Sequence, residues 1–571
     1  MFAQGEYLPN NLRPSNYSTN DLFGARGSLR LALLATLVLL AACGRASEQA
    51  APAGTVRFAV AADPQTLNPL FLHPDAASVE QQLARLAFEP FIDLDSGGRP
   101  VPALLAVIPT RANGGLSADG RTIVYQLRPA LHWSDGRPVT SQDVLFTLHA
   151  ILDPANPERS HAGYDLIDRA EAPNARTVVF HLKRSWAPAV MTYFSYGFSP
   201  QFVLPAHVLR AQAPLARAAF NAAPTVGDGP YRFVSWTRGE GLRYAANPSY
   251  WRGKPAVERL DIRVIPDPST NLLELQSGQL DWNLVAPAQL AVLRGKAGIA
   301  FVKVPTAVVA GLALNTGRPP LDDVRLRRAV AMSIDREAIS KKITLGVYPV
   351  ANTIQPQFSW AFDRSVREPG FDPRAADALF DAAGWRRGAD RMRQKSGRPL
   401  EMLYVQFPES TTGVRVATAI QEALHERGVA VTVKSIANAQ LFLPRSGALA
   451  VGDFDLAYVP WTMGADPDDS SILACGAPSN YMRWCEPRVD ALERAALAST
   501  QRPERKRLYA RIARIVAEQV PILYLFDADY VYAYRERLAG FGPNAFLPTW
   551  NASNWRLRRP GEGSGRPKPI L

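Results

Sequence analysis

The chain has 571 residues, of which 47% are hydrophobic and 20% are charged. That length excludes a single small core and that balance excludes disorder throughout, so two or more compact units are expected. The formal net charge is +12, but the basic residues are dispersed, so their pattern does not predict a nucleic-acid groove.

The first distinctive segment is a short apolar run at residues 31–42, LALLATLVLLAA, preceded by Arg26 and Arg30. A positive flank before such a run is typical of a secretory signal, and the run is too short to form a stable membrane-spanning helix. The run ends in Leu-Ala-Ala before Cys43, which resembles the bacterial lipobox, in which the cysteine is lipidated and becomes the mature N-terminus. We predict a signal peptide at residues 1–42, lipidation of Cys43 and a flexible tether at residues 43–54. The alternative is a plain signal peptide with a chance cysteine.

Beyond the tether, predicted strands and helices alternate, which indicates a mixed α/β protein. Strands are predicted where short apolar runs or alternating patterns end in turn residues, at residues 56–61, 122–127, 177–182, 260–265, 429–436 and 522–526. Helices are predicted where apolar residues recur at helical spacing, at residues 78–88, 140–151, 322–343, 373–383, 414–427, 488–498 and 503–519. Thr140 and Asp143 predict a capping box with Asp in place of Glu, and Gly384 predicts a helix C-terminus.

Two further cysteines, Cys475 and Cys485, lie close together near the C-terminal end. In an oxidising compartment, a disulfide that closes this short loop is the simple interpretation. Two buried free thiols are the alternative.

Six motifs occur along the chain in a fixed order. They are RTIVYQLRPALHWSDGRPVTSQDVLFTL at residues 121–148, VGDGPY at 226–231, NPSYW at 247–251, SGQLD at 277–281, RLRRAVAMSIDR at 325–336 and AGW at 383–385. In this order they resemble the family 5 solute-binding proteins, which serve importers of peptides, nickel and related solutes. The resemblance extends from about residue 56 to residue 550, although Asp228 stands where the family has Thr.

The resemblance implies an α/β, two-lobed periplasmic-binding-protein fold of type II, of the large kind with an extra subdomain, and a ligand cleft between the lobes. Lobe I is expected at residues 55–308, with the extra subdomain at about residues 90–220. Lobe II is expected at residues 309–527, a C-terminal return to lobe I at residues 528–556 and a loose tail at residues 557–571. Closure of two lobes around a ligand is a hinge motion.

Residues 454–470, FDLAYVPWTMGADPDDS, match the strand and acidic loop that line the ligand cleft in this family. The ligand contacts implied by this match are Tyr458, Trp461, Met463 and Gly464. In the family's peptide binders, an aspartate three residues after the tryptophan holds the peptide's ammonium group. Here that position is Gly464, and the loop is two residues shorter.

Asp466 is the candidate replacement for this aspartate, because a buried carboxylate and a buried ammonium neutralise each other. The alternative is that the acidic residues of this loop form a solvated turn.

The carboxylate end of a peptide calls for a cation, best a guanidinium group. Arg415, near the start of the helix predicted at residues 414–427, falls where the family's dipeptide binders place an arginine. A surface arginine is the alternative. The sequence SNYMRWC at residues 479–485 resembles SNYSKWC of those dipeptide binders, which favours the dipeptide branch and the disulfide between Cys475 and Cys485.

The function predicted from this resemblance is that of an extracytoplasmic lipoprotein that captures di- or oligopeptides for an ABC transporter permease. It would act as a monomer in the periplasm or at the cell surface, attached to the membrane through lipidated Cys43, without cofactor, metal or nucleic acid. The alternatives are the same fold binding a nickel chelate, haem or an oligosaccharide, and a hydrolase. No Gly-x-Ser-x-Gly, Walker A or His-Glu-x-x-His motif occurs, so we expect no enzyme.

Overall fold

The computed structural model describes residues 54–72, 79–156, 161, 163–195, 202–559 and 562. The predicted signal peptide, Cys43 and nearly all of the predicted tether lie outside the described residues, as does most of the predicted tail. No helix among the described residues combines the length and apolar character that a membrane crossing requires.

The described residues form strands and helices that alternate along most of the chain. The strands are β1 (Thr55–Val60), β2 (Ile92–Leu94), β3 (Pro100–Pro102), β4 (Thr122–Gln126), β5 (Ile167–Asn174), β6 (Thr177–Leu182), β7 (Tyr231–Thr237), β8 (Gly241–Ala246), β9 (Arg259–Val264), β10 (Trp282–Val285), β11 (Ile299–Val304), β12 (Val308–Leu314), β13 (Arg386–Arg387), β14 (Arg393–Lys395), β15 (Arg398–Pro399), β16 (Glu401–Gln406), β17 (Ala430–Ser435), β18 (Leu456–Thr462), β19 (Ile522–Asp527), β20 (Tyr530–Arg535), β21 (Leu538–Ala539) and β22 (Arg556–Leu557). The helices are α1 (Val79–Ala87), α2 (Ser141–Leu152), α3 (Ala189–Thr192), α4 (Ala206–Leu209), α5 (Pro268–Ser277), α6 (Leu290–Leu293), α7 (Val324–Ser333), α8 (Arg336–Ile343), α9 (Pro373–Ala382), α10 (Thr411–Glu426), α11 (Asn438–Leu441), α12 (Ala448–Val451), α13 (Ser470–Leu473), α14 (Pro487–Ala498) and α15 (Arg502–Gln519).

Lobe I is built on a seven-stranded sheet with the order β11-β20-β10-β1-β9-β8-β7. Its centre is parallel, because β1 pairs in parallel with both β9 and β10. Strand β20 comes from the C-terminal part of the chain and pairs antiparallel between β10 and β11. The late return of β20 ties the C-terminal part of the chain into the first lobe.

Lobe II is built on a five-stranded sheet with the order β17-β16-β18-β12-β19. Strands β12 and β19 are almost continuously apolar, and nearly all of their residues are buried, as expected for strands covered on both faces. Each lobe has its own hydrophobic core, one around the β1 sheet and one around the β12 sheet. The two sheets and two cores confirm the predicted two-lobed α/β class.

A smaller three-stranded antiparallel sheet, β4-β6-β5, lies within the segment predicted as the extra subdomain and packs against α2. The predicted cap of α2 is present in part: the Asp143 carboxylate accepts a hydrogen bond from the Thr140 backbone N–H at 2.8 Å. The same carboxylate accepts from the backbone N–H of Ala206 at 3.1 Å, so it also ties α2 to α4.

The helical region predicted at residues 322–343 is confirmed, and the structure divides it into α7 and α8 at Ile334. The Asp335 side chain accepts a hydrogen bond from the backbone N–H of Ala338 and so starts a new helix. Helix α10 begins three residues before its predicted start, where the Ser410 hydroxyl accepts from Gly413 N–H. Gly384, predicted to end a helix, follows α9 with a positive φ of 86°.

Candidate functional site

Two chain segments connect the lobes and run side by side. One leads from β11 to β12 and the other from β19 to β20. The Thr306 hydroxyl donates to the Ala528 carbonyl at 2.8 Å, and the Ala528 N–H donates to the Val308 carbonyl at 2.9 Å. Two short connections bonded to each other allow the lobes to rotate as bodies, which is the geometry of a hinge.

A cavity of about 430 Å³ lies beside this hinge, at the carboxyl ends of β1, β9 and β10. Lobe II contributes Tyr348 to its lining, and the other lining residues belong to lobe I and its C-terminal return. The described residues that line it are Ala59, Val60, Ala61, Val79, Gln82, Pro266, Pro268, Asn271, Trp282, Asn283, Leu284, Val285, Ala286, Gln289, Tyr348, Tyr530, Tyr532, Phe546 and Pro548. The carboxyl edge of parallel strands is where open α/β sheets bind ligands, so this cavity is the candidate ligand site.

The cavity lining is aromatic and amide-rich, and none of its described residues is acidic or basic. Burial raises the pKa of Tyr348 to about 12 and the pKa of Tyr532 well above its usual value of 10. Both hydroxyl groups are therefore neutral at physiological pH. The cavity can offer hydrogen bonds and aromatic surface, but no formal charge from these residues.

Two aspartates lie at the hinge next to this cavity. Burial raises the pKa of Asp527 to about 7, although a hydrogen bond from the Gln357 amide at 2.9 Å opposes the shift. Burial likewise raises the pKa of Asp529 to about 6, against the attraction of Lys303, whose ammonium is 3.1 Å away. The charge of Asp529 is thus balanced within the chain.

Phe546, which lines the cavity, also belongs to an apolar cluster that joins the two lobes. Leu94, Met191 and Phe546 come from the first lobe, and Phe358 and Ala465 come from the second. The rings of Phe358 and Phe546 meet edge to face, with centroids 5.9 Å apart. Ala465 shows that the loop after β18 reaches this interlobe contact.

Most of the ligand contacts predicted on β18 lie in the core of lobe II. Tyr458, Trp461 and Met463 are buried and belong to the core around the β12 sheet. Gly311 on the neighbouring strand leaves room for the Trp461 ring, since a Cβ there would lie 3.1 Å from it. The Met463 N–H donates to the Ala307 carbonyl at 2.8 Å, which fixes the end of β18 to the hinge segment.

Gly464 follows Met463 and is partly exposed next to the interlobe cluster. No residue of β18 or of the loop after it is among the described residues that line the 430 Å³ cavity. Direct contact of Gly464 and its neighbours with a ligand stays a prediction.

Asp466, the predicted ammonium anchor, is paired within the chain. Both of its carboxylate oxygens accept hydrogen bonds from the guanidinium of Arg505, one at 2.7 Å, and both side chains are buried. A ligand ammonium would have to displace Arg505 to use this carboxylate. The anchoring role of Asp466 therefore stays a prediction that requires this ion pair to open.

The acidic loop beyond Asp466 is not a solvated turn. Asp469 is buried, and its Oδ2 accepts a hydrogen bond from the Gln355 amide at 3.0 Å. Burial raises the pKa of Asp469 and of its neighbour Glu493, which belongs to α14. The loop is thus fixed to two other segments of lobe II.

Arg415, the predicted partner of a ligand carboxylate, lies on the exposed side of α10. Its guanidinium donates to the carbonyls of Lys342 and Ile343 at 3.3 Å each, at the C-terminal end of α8. A cation at that end is favoured by the helix dipole. Arg415 is not among the described residues that line the cavity, so its ligand role also stays a prediction.

Cys475 and Cys485 form a disulfide, as the resemblance implied. Asn480 organises the loop between them: its amide donates to the carbonyls of Ala474 and Trp484 at 2.8 and 2.7 Å. The described residues hold no group of three or more His, Cys, Asp or Glu side chains arranged to bind a metal ion.

Sequence reasoning missed the residues that line the cavity. Asn283 and Trp282 occupy the strand that follows the SGQLD motif, and Tyr530 and Tyr532 alternate on the returning strand β20. The rule that ligands bind at the carboxyl ends of parallel strands could have identified the first pair. Tyr348 has no such signal, because it lies in an irregular loop after α8.

Two lobes, two hinge connections and a cavity between them define a two-lobed binding protein. The family model described as bacterial extracellular solute-binding proteins, family 5, middle, matches residues 102–482. The chain belongs to this family of substrate-binding proteins.

Curated relatives extend over nearly the whole chain. A probable D,D-dipeptide-binding periplasmic protein of Escherichia coli is 27% identical, and the alignment covers 91% of this chain and 97% of that protein. Di/tripeptide-binding protein 2 of Pseudomonas aeruginosa is 28% identical over 90% of this chain and 96% of its own length.

Solved structures share the fold at lower sequence identity. NikA from Brucella suis in complex with Fe(III)-EDTA aligns with a TM-score of 0.78 at 21% identity, over 88% of this chain and all of that chain. AppA from Bacillus subtilis in complex with a nonapeptide aligns with a TM-score of 0.74 at 20% identity, over 88% of this chain and 99% of that chain.

Proposed function

We propose that this chain captures peptides outside the cytoplasm and delivers them to the permease of an ABC importer, without altering them chemically. The observation that carries the proposal is the cavity of about 430 Å³ in lobe I that Tyr348 of lobe II also lines, beside a two-segment hinge. A volume of this size falls in the range of about 300–1,000 Å³ that is usual for ligand sites. The relatives named as dipeptide- and di/tripeptide-binding proteins support peptides as the ligand class.

The hinge gives the capture a physical mechanism. A ligand that contacts both lobes stabilises the closed arrangement, and the permease can then distinguish loaded protein from empty protein by shape. The apolar contact between Phe358 and Phe546 closes the lobes on one side of the cavity. A ligand that touches both Tyr348 and Tyr530 would add contacts across the same gap.

A thermal-shift screen against peptides of two to ten residues tests the proposal. A ligand at about 100 times its Kd stabilises the folded state by about 2.7 kcal/mol, so tight peptides are expected to raise the melting temperature clearly. If no peptide raises it while a nickel–histidine complex or an oligosaccharide does, the peptide assignment is wrong. Mass analysis of the recovered peptides is expected to find them intact, and cleavage would indicate a hydrolase.

Two alanine-to-tryptophan variants test whether the peptide that raises the melting temperature binds in the cavity. Ala61 is exposed at the cavity lining, so Ala61→Trp is expected to obstruct the cavity and abolish the peptide-induced shift. Ala378 is exposed on α9, away from the cavity lining, so Ala378→Trp is the matched control and is expected to retain the shift. Equal responses of the two variants would place the peptide elsewhere.

The proposal includes membrane attachment through lipidated Cys43 and action as a monomer at the periplasmic or outer surface of the membrane. The apolar run before Cys43 supports this part. In cell fractionation, the wild-type protein is expected with the membranes and Cys43→Ser in the soluble fraction. Membrane association of Cys43→Ser equal to that of the wild type would argue against the lipid anchor.

A further inference from the structure

The cavity between the lobes differs from a site built to bind charged peptide ends. None of its described lining residues is acidic or basic, and the polar ones are amides and tyrosines. An ammonium or carboxylate transferred from water into such surroundings without a partner loses its hydration and gains no compensating ion pair. An uncharged group has no ionic hydration to lose when it enters the cavity.

Three charged side chains near the site already have partners within the chain. Asp529 lies 3.1 Å from the Lys303 ammonium, and both oxygens of Asp466 accept hydrogen bonds from Arg505. The guanidinium of Arg415 is bound to carbonyls at the end of α8. A free peptide terminus that paired with Asp529, Asp466 or Arg415 would therefore have to break the interaction that already holds that side chain.

Two lining residues each carry a buried polar atom without a partner among the described residues. They are the Oδ1 acceptor of Asn271 and the Nε1 donor of Trp282, and both residues are less than a tenth exposed. The amide nitrogen of Asn271 is already committed to the Ile265 carbonyl at 3.0 Å. A peptide group offers one N–H and one C=O, which are the complementary groups, but both atoms expose less than 1 Å², so they can bond to a peptide only after the lining moves.

From these observations we propose that the interlobe cavity holds an uncharged stretch of the peptide, and that the ligand is recognised there without an ion pair to a free amino or carboxyl terminus. This inference rests on the proposed function and narrows its substrate class. The ligands it predicts are peptides bound through internal peptide groups and neutral side chains, including peptides with blocked ends.

Isothermal titration of the mature protein with one set of tetrapeptides tests this inference. Tetrapeptides of Gly, Ala, Leu and Tyr are compared in four forms: free, N-acetylated, C-amidated and blocked at both ends. Blocking both ends is expected to weaken binding by less than about tenfold. Loss of about tenfold or more on blocking either end would overturn the inference while leaving the proposed function intact. Failure of every form to bind would overturn both.

A charge placed in the lining gives a second, independent measurement. Asn283→Asp adds a carboxylate without changing the side-chain shape, and Asn438→Asp makes the same change on exposed α11. Asn283→Asp is expected to shift the preference toward the free-amine tetrapeptide over its acetylated form by about tenfold, and Asn438→Asp to leave it unchanged. An unchanged preference in folded Asn283→Asp would contradict the inference, and the titrations of wild-type protein decide it if that variant does not fold.

Discussion

The ion pair between Asp466 and Arg505 offers the sharpest test of how the site is interpreted. Two hydrogen bonds join the carboxylate and the guanidinium, and the side chains are only 9% and 6% exposed. The guanidinium also donates to the Tyr509 hydroxyl at 3.2 Å and lies over the Trp360 ring. The pair is therefore part of the core of lobe II.

Replacing Asp466 by Asn removes the negative charge and leaves the Arg505 guanidinium buried without its counter-ion. Breaking a buried ion pair in this way costs about 3–5 kcal/mol of folding free energy. Asp453 provides the control, because its pair with Lys434 spans 3.9 Å and both side chains are more than half exposed. Asp453→Asn is expected to change stability by less than about 1 kcal/mol.

The assay has two parts: urea unfolding for stability, and titration of folded protein with a peptide that binds the wild type. Asp466→Asn is expected to lower the unfolding free energy by about 3–5 kcal/mol and to change peptide affinity by less than about threefold. The opposite pattern, unchanged stability with affinity lowered about tenfold or more, would show that Asp466 holds the ligand's ammonium. That result would refute the structural role assigned to the pair.

Two further predictions concern the acidic loop and the interlobe contact. Because burial raises the folded-state pKa of Asp469 from 3.8 to about 6 and that of Glu493 above its usual value, the contribution of this pair to stability is expected to be greatest at acidic pH and to fall as pH rises through about 6. Urea unfolding from pH 5 to 8 should show a shallower decline in Glu493→Gln, and the exposed control Glu422→Gln should keep the wild-type slope. Phe358→Ala removes an edge-to-face contact worth about 0.5–1.5 kcal/mol, so it should weaken peptide binding roughly two- to tenfold and raise the radius of gyration measured by X-ray scattering. Phe371→Ala removes an exposed ring of the same lobe and should change neither peptide affinity nor the radius of gyration. Equal changes in the two variants would argue against closure through Phe358.

The sequence was most informative where local chemistry determines structure. Cys475 and Cys485 pair as the resemblance implied. Strand β19 was predicted from its continuous apolar run and is buried along its full length. In these segments the structure that the local sequence favours is the one found in the folded protein. The residue pattern along the chain is therefore sufficient to predict that structure.

The candidate site was harder to predict because tertiary packing decides it. Nothing in the local sequence indicates that Asp466 faces Arg505, 39 residues away, or that Arg415 contacts the end of α8. Likewise, Tyr348 and Tyr530 meet at one cavity although about 180 residues separate them in the chain. A resemblance can assign a region of the chain to the cleft, but the charge balance inside the cleft depends on these distant partners.

Hydrogen–deuterium exchange with and without a saturating peptide tests the central claim most directly, namely that a peptide is captured in the cavity between the lobes. The peptide is expected to slow exchange at residues 282–286, at Tyr348 and at Tyr530–Arg535, which come from both sides of the cavity. No comparable change in exchange is expected at α10, where Arg415 lies. Protection confined to α10 and the loop after β18, with none at the cavity lining, would contradict the account.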